Sequence, residues 1–421
     1  MSKFLYYHSN PKALSAFVLM LVMIGATFMV ITIPSVQKNF HPLSDAPHQS
    51  SQNLKYTAEL AVKAVEPTVW TCGEARGQNG FALDPITNQR PFFAFVHVYK
   101  TAGTTVRSFF RQYATICKKS LAVVANCKFL GQSGAKVHNC RLISSHNAPQ
   151  SIERVNSTIL HDHYDMLAGH FSFGMADDIF SNATVKSNGD GESHSHHVVR
   201  YMVFLRQPMT KFVSHILYQQ KQGNQEITST VDETAKDIKK RVRSFREKGE
   251  YMGSLTFPHC PNIYNYLITP EQHRTMEDDQ EQIFLEIEEA LAHKSKLAID
   301  NLMRYNAIVG MTEQFSQSMK IFEHAMGQSV TSAREEELHE LFSLYTGEKR
   351  SENGSARNDI STGSVLKELN KDDDFMKDFR EFVRYEQMIV DFAMDMHQKQ
   401  FDVAQKGHFE RYRVETSDDS K

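Results

Sequence analysis

FFAFVHVYKTAGTTVRSFFRQYA, residues Phe92–Ala114, decides how the chain folds. Phe92–Tyr99 is an apolar run rich in aromatic and β-branched residues, and it stops at Lys100. The small and hydroxyl residues Thr101, Ala102, Gly103, Thr104 and Thr105 follow. Val106, Phe109, Phe110 and Tyr113 then recur at helical spacing. The pattern predicts strand, tight loop and helix. A loop of this composition lets backbone N–H groups approach an anion, the helix N-terminus adds partial positive charge, and the lysine adds a full one. These residues are therefore expected to hold phosphate. In the nucleoside-triphosphate loop G-x-x-x-x-G-K-[ST] the lysine follows the glycines, whereas here it precedes the small residues.

The charge around this stretch is one-sided. No acid occurs between Asp84 and Glu153, while Arg90, Lys100, Arg107, Arg111, Lys118, Lys119, Lys128, Lys136 and Arg141 all fall there. A block of one sign favours a polyanionic ligand, or else forms a solvated face balanced by acids elsewhere. The chain as a whole carries a net charge of −3 over 421 residues, which gives no reason to expect nucleic acid as a partner. With 41% apolar residues it can bury a large core.

Ala13–Ile33 contains no charged residue, and at about 1.5 Å per residue it is long enough to span a bilayer. Lys3 and Lys12 precede it, so residues 1–12 are expected to stay cytoplasmic and the body to face the secretory lumen. A single-pass type II membrane protein is the expectation, with residues 13–33 as the signal anchor. A cleaved signal peptide is the alternative, although Ile31-Thr32-Ile33-Pro34 offers no small-residue cleavage site. In that compartment Cys72, Cys117, Cys127, Cys140 and Cys260 can form disulfides, with one left over and the pairing open. Their spacing lacks C-x-x-C, and no metal site is expected. Asn156, Asn182 and Asn353 head glycosylation tripeptides.

Residues 34–90 are polar and proline-spotted and read as a stem, with Leu60–Val65 a candidate short helix packing on the body. The body, residues 91–405, alternates apolar runs with helical patterns. Strands are expected at Phe92–Tyr99, Tyr164–Ala168, Val198–Leu205 and Asn306–Met311, and helices at Val106–Ile116, Lys211–Gln220 and Gln314–Met326. Repeated strand-then-helix units argue for an α/β fold: a P-loop-like parallel sheet flanked by helices. The C-terminal third reads as helices over Asp279–Ala298, Ala333–Tyr345 and Ser364–Ala404, and residues 406–421 as a charged tail. Ser181–His197 reads as an exposed insertion, and Ala235–Lys248 as a basic helix that lines a groove for an acidic polysaccharide or is simply solvated.

Lys100, His170 and Arg206 each follow an expected strand end, where ligands of such sheets bind. In VFLRQPMTKFVSHILY, Val203–Tyr218, a strand-end arginine precedes Ser214 by eight residues. A guanidinium and a hydroxyl so placed can both reach a phosphate. The early-lysine loop resembles the 5′-phosphosulfate loop of sulfotransferases, in the version found in the membrane-bound carbohydrate sulfotransferases of the Golgi. The Arg206 and Ser214 pair resembles their 3′-phosphate motif. Met166–Phe171 (MLAGHF) is similar to the G-H segment of the heparan sulfate 2-O-sulfotransferase-like branch, and Ile308–Phe315 (IVGMTEQF) to its V-G-x-T-E segment. The likeness spans about Phe92 to Phe401. Tyr99 stands where many members have proline, and Gln207 where aspartate is usual.

The resemblance implies 3′-phosphoadenosine 5′-phosphosulfate as sulfuryl donor. Lys100 and Thr101, Ala102, Gly103, Thr104 and Thr105 would hold its 5′ end, Arg206 and Ser214 its 3′-phosphate, and His170 would act as catalytic base. The chemistry agrees with those roles. An attacking hydroxyl must lose a proton, which histidine can take, and charge developing on the leaving phosphate calls for Lys100 and loop amides rather than a metal. The acceptor is expected to be a glycan hydroxyl, with an acidic polysaccharide favoured and protein tyrosine left open. Two rivals remain at this point: a lumenal nucleotide-dependent kinase, and a catalytically silent glycan-binding membrane protein. A kinase would need acidic Mg²⁺ ligands at a strand end, and none is present there.

Overall fold

Alternation along Phe92–Val96 sets the layers: Phe92, Ala94 and Val96 pack into one buried cluster, and Phe93 and Phe95 into another on the opposite face of the sheet. The structure is a computed structural model. It describes residues 56–66, 71–72, 90–129, 138–146, 154–156, 160, 163–180, 197–222, 230–255, 259–260, 262–282, 287–326, 329–330, 332–346 and 360–418. All of these belong to one unit, Lys55–Lys421. The expected anchor Ala13–Ile33 and all of the insertion Ser181–His197 except His197 lie outside the described residues. Among the described residues no helix is long and apolar enough to cross a membrane.

In chain order the elements begin with α1 (Ala58–Val65), β1 (Thr71–Cys72), β2 (Arg90–Val96), α2 (Gly103–Ile116) and β3 (Leu121–Phe129). Next come β4 (His138–His146), β5 (Arg154–Asn156), β6 (Met166–Gly169), α3 (Met175–Phe180), β7 (His197–Leu205) and α4 (Pro208–Gln222). They continue with α5 (Val231–Glu247), α6 (Tyr264–Leu267), α7 (Pro270–Gln282), α8 (Ile287–Arg304), β8 (Ile308–Met311) and α9 (Phe315–Met326). The last are β9 (Ser329–Val330), α10 (Ser332–Thr346), α11 (Thr362–Leu369) and α12 (Asp373–Asp418).

The main sheet has the order β5-β4-β3-β6-β2-β7-β8. From β3 to β8 every neighbouring pair is parallel, whereas β4 runs antiparallel to both β3 and β5. The sheet is therefore mixed, and the expectation of a parallel sheet holds only for β3, β6, β2, β7 and β8. The antiparallel strand escaped the sequence reading because His138–His146 (HNCRLISSH) is polar and offers no apolar run. A Cys127–Cys140 disulfide links β3 and β4, Cys117 is also disulfide-bonded, and Cys260 is buried and outside any disulfide. Loss of water around the Cys260 thiol pushes its pKa up to about 12.

Helices α2, α9 and α10 cover the Phe93 and Phe95 face through Val106, Phe109, Phe110, Phe322 and Phe342. The other face meets Leu302 of α8 and Ile389, Val390 and Met396 of α12. A third cluster joins α4, α5, α11 and the start of α12 through Phe212, Ile238, Phe375 and Phe379. Helix α1 lies where a short stem helix is expected, with Ala61, Ala64 and Val65 buried. The body is thus a sheet with helices on both faces, and the ends of β6, β2 and β7 meet side by side.

Candidate active site

Val96 of β2 pairs with Gly169 of β6 on one side and Val203 of β7 on the other. His170, Lys100 and Arg206 leave the carboxyl ends of these three adjacent parallel strands. The topology reverses here too, since β3 and β6 lie to one side of β2 and β7 and β8 to the other. Three of the residues singled out from sequence thus come together at one crevice.

The loop itself is tight. Lys100 and Ala102 both take positive φ, 65° and 59°, which side chains other than glycine seldom adopt. Thr101 holds the turn closed: its buried hydroxyl donates to the Val98 carbonyl at 2.8 Å. Of the loop hydroxyls, this one is committed to the protein. Helix α2 then begins at Gly103 with no side-chain cap and no acid in its first turn, so its leading amides face a position suited to an anion. At Gly103 a Cβ would fall 1.7 Å from Cδ2 of His97, so the loop closes over that ring only because the residue has no side chain. Gly103→Ala is expected to lower stability by about 1–3 kcal/mol, the usual cost of overpacking, and to weaken anion binding along with it. Thermal unfolding and anion titration check this.

On the β7 side, Nη1 of Arg206 donates to the Lys100 carbonyl at 3.2 Å, so the two motifs share one cleft. Nε of Arg206 lies 3.9 Å from Oε1 of Glu313, too far for a hydrogen bond, and is buried without a partner. Glu313 also accepts from the Gln207 amide at 3.2 Å, and Thr312 donates to the Leu205 carbonyl at 3.0 Å. The T-E pair therefore braces the end of β7. Gln207 turns away to the Met394 sulfur and Gln387 of α12. Ser214 is half-buried on α4. Tyr218, one turn further along the same face, places its ring 3.3 Å from the Lys100 ammonium.

His170 is held by three contacts. His97 and Tyr99 stack on its ring, each at 4.2 Å, and its Nδ1 lies 2.7 Å from the His97 carbonyl. A carbonyl oxygen only accepts, so Nδ1 carries the hydrogen and Nε2 presents the lone pair. Burial, with Arg107 nearby, pulls its pKa down to about 4, so the ring is neutral at ordinary pH. Lys100 is pulled down to about 8, first by burial and then by Arg206 and Lys221. Among the described residues Glu313 is the carboxylate beside Arg206, and Nε of Arg107 is also buried without a hydrogen-bond partner. An anion in the crevice would relieve both the repulsion and the orphaned donors, so the residues present fit a phosphorylated ligand.

From these directions the pH dependence follows. The His170 lone pair is present above about 4, and the Lys100 ammonium below about 8. Turnover per free enzyme and substrate (kcat/KM) is expected to plateau between those limits and fall on both sides. Lys100→Arg is expected to push the alkaline limb out of range. A kcat/KM profile of the two proteins checks it.

The remaining charged stretches are less concentrated than the sequence suggests. Lys118 and Lys119 follow the far end of α2, about 20 Å from the loop at 1.5 Å per residue over 14 residues. On α5, Lys236, Lys239, Arg241 and Arg243 each face an aspartate. The sequence reading did not single out His97, Arg107, Tyr218 or Lys221 as site residues. Arg107 stood in the acid-free block, and Tyr218 follows Ser214 at helical spacing, so both left a signal. The chain matches no family model and no curated protein.

Proposed function

We propose that the chain is a sulfotransferase that moves a sulfuryl group from 3′-phosphoadenosine 5′-phosphosulfate to a hydroxyl of a glycan, an acidic polysaccharide in the first instance. The observation that carries the reading is the contact between Arg206 and the Lys100 carbonyl, which puts the two phosphate-type motifs in one crevice beside His170. The bound donor supplies an activated sulfuryl group on a phosphate leaving group. The chain supplies the rest. Nε2 of His170 takes the proton of the attacking hydroxyl, while Lys100 and the loop amides face the charge that develops on the departing oxygen. Arg206 and Ser214 grip the second phosphate. Arg107, beside His170, favours an anionic acceptor.

The Cys127–Cys140 disulfide supports an oxidising compartment, in keeping with a Golgi membrane protein anchored by Ala13–Ile33 with its body in the lumen. The test is the purified full chain with radiolabelled phosphosulfate donor and a panel of glycans. Label transfer to glycan is expected. Phosphoryl transfer from ATP would favour the kinase reading instead, and glycan binding without transfer the silent binding protein.

A further inference from the structure

A second concavity, of about 710 Å³, opens between α3, α7 and α8. Its walls carry Asp177, Asp178, Glu271, Arg274, Arg304 and Tyr305. That volume lies within the range of small-molecule sites. None of these residues belongs to the phosphate-type crevice, but the chain ties the two regions together. Gly174, on the cavity wall, is four residues beyond His170, which limits the separation to about 14 Å for even fully extended backbone. A second route runs through Tyr266, whose ring lies 6.0 Å from that of His170, and reaches Thr269 of the wall three residues later. The two routes are joined where the Phe173 amide donates to the Tyr266 carbonyl at 2.9 Å.

The wall is built rather than incidental. The buried Tyr201 hydroxyl donates to Oδ2 of Asp177 at 2.8 Å and accepts from the Ala176 and Asp177 amides, which fixes the start of α3. The Tyr305 ring is seated against Phe173 and Tyr201, at 5.6 and 5.1 Å between centroids. Gly174 sits at φ +81°, and a Cβ there would come within 2.9 Å of the Tyr305 hydroxyl. The wall thus depends on a residue without a side chain at its closest point.

The electrostatics are the reverse of those around Lys100. Three carboxylates face two guanidiniums, so a chain anionic at every unit would be repelled here. A sugar without charge is matched: carboxylates accept from hydroxyls, guanidiniums donate in a fork to ring and hydroxyl oxygens, and the tyrosine edge offers an apolar surface. We propose that this cavity is an acceptor subsite for an uncharged, hydroxyl-rich sugar unit, near the unit whose hydroxyl is presented to His170. The assignment rests on the sulfuryl-transfer reading and narrows it, because the acceptor then carries at least one neutral unit close to the reacting one.

The test is a glycan array of neutral and of uniformly sulfated oligosaccharides, probed with the full chain and with Arg304→Ala and Glu271→Ala, both exposed positions where folding is expected to survive. Neutral oligosaccharides are expected to bind the parent chain and to lose about tenfold or more in either variant, as a lost charge-assisted hydrogen bond implies. In the transfer assay the same variants are expected to raise KM for acceptors that contain a neutral unit, with KM for the donor unchanged. Binding confined to uniformly sulfated glycans, no glycan binding, or neutral binding unaltered in both variants would overturn the subsite. If neutral binding depends on the cavity while no sulfuryl transfer occurs, the subsite stands as a sugar site and the transferase reading fails. If transfer occurs with acceptor KM unaltered in both variants, the subsite alone fails.

Discussion

His170→Ala is expected to bind donor as the parent does and to lose turnover by about 10²- to 10⁴-fold, the range a positioned general base contributes. The reason lies in how the ring is held. Its Nδ1 hydrogen is taken by the His97 carbonyl, and stacking from His97 and Tyr99 fixes the ring plane, so Nε2 is left as a lone pair that no phosphate contact needs. Removing the ring therefore deletes a proton acceptor without touching Lys100 or Arg206. The low pKa makes His170 a weak base that is fully available at neutral pH, and the variant is expected to lose the acidic limb of the pH profile with the rate. Donor affinity by calorimetry and single-turnover rate, measured on one preparation, separate the two effects. Turnover retained in the variant would remove His170 as base.

Lys100→Ala is expected to fail earlier, at binding. Its ammonium is partly stripped of water, pushed by Arg206 and Lys221, and held on the Tyr218 ring. A donor phosphate would exchange that ring for a full negative charge. Loss of the lysine removes this and, for the charge that develops on the leaving oxygen, an electrostatic contact of the kind that contributes about 10²- to 10³-fold in rate. Both affinity and residual rate should fall, in contrast with His170→Ala. Tyr218→Phe keeps the ring and is expected to behave as the parent, so the comparison distinguishes loss of charge from loss of packing.

Much of this crevice was legible because the residues that build it lie at junctions of element type. A β-branched and aromatic run that stops at a lysine, followed by small residues and a helical period, reads locally as strand, turn and helix, and the chain folds in that order, although β2 ends at Val96, four residues before Lys100 rather than at Tyr99. The Arg206-Gln207-Pro208 stop was equally local. What could not be read were features that depend on distant partners. His97 looks like one polar interruption of an apolar run, and only the fold brings Gly103 and His170 against its ring. The antiparallel pair β3 and β4 is held by neighbours and a disulfide rather than by pattern. Asp279–Ala298, read as one helix, overlaps the end of α7 and the first part of α8, with residues 283–286 outside the described residues. Ser364–Ala404 divides at Asp372, whose carboxylate accepts from the Phe375 amide and starts α12.

The measurement that bears most directly on a single cradle for both ends of the donor is calorimetric titration of 3′-phosphoadenosine 5′-phosphate against adenosine 5′-phosphate, with the parent chain and with Arg206→Ala. The bisphosphate should bind the parent about 10- to 100-fold more tightly, as one charge-assisted contact implies, and Arg206→Ala should erase that preference. Equal affinity of the two nucleotides for the parent chain, or a preference that survives the loss of Arg206, would contradict it.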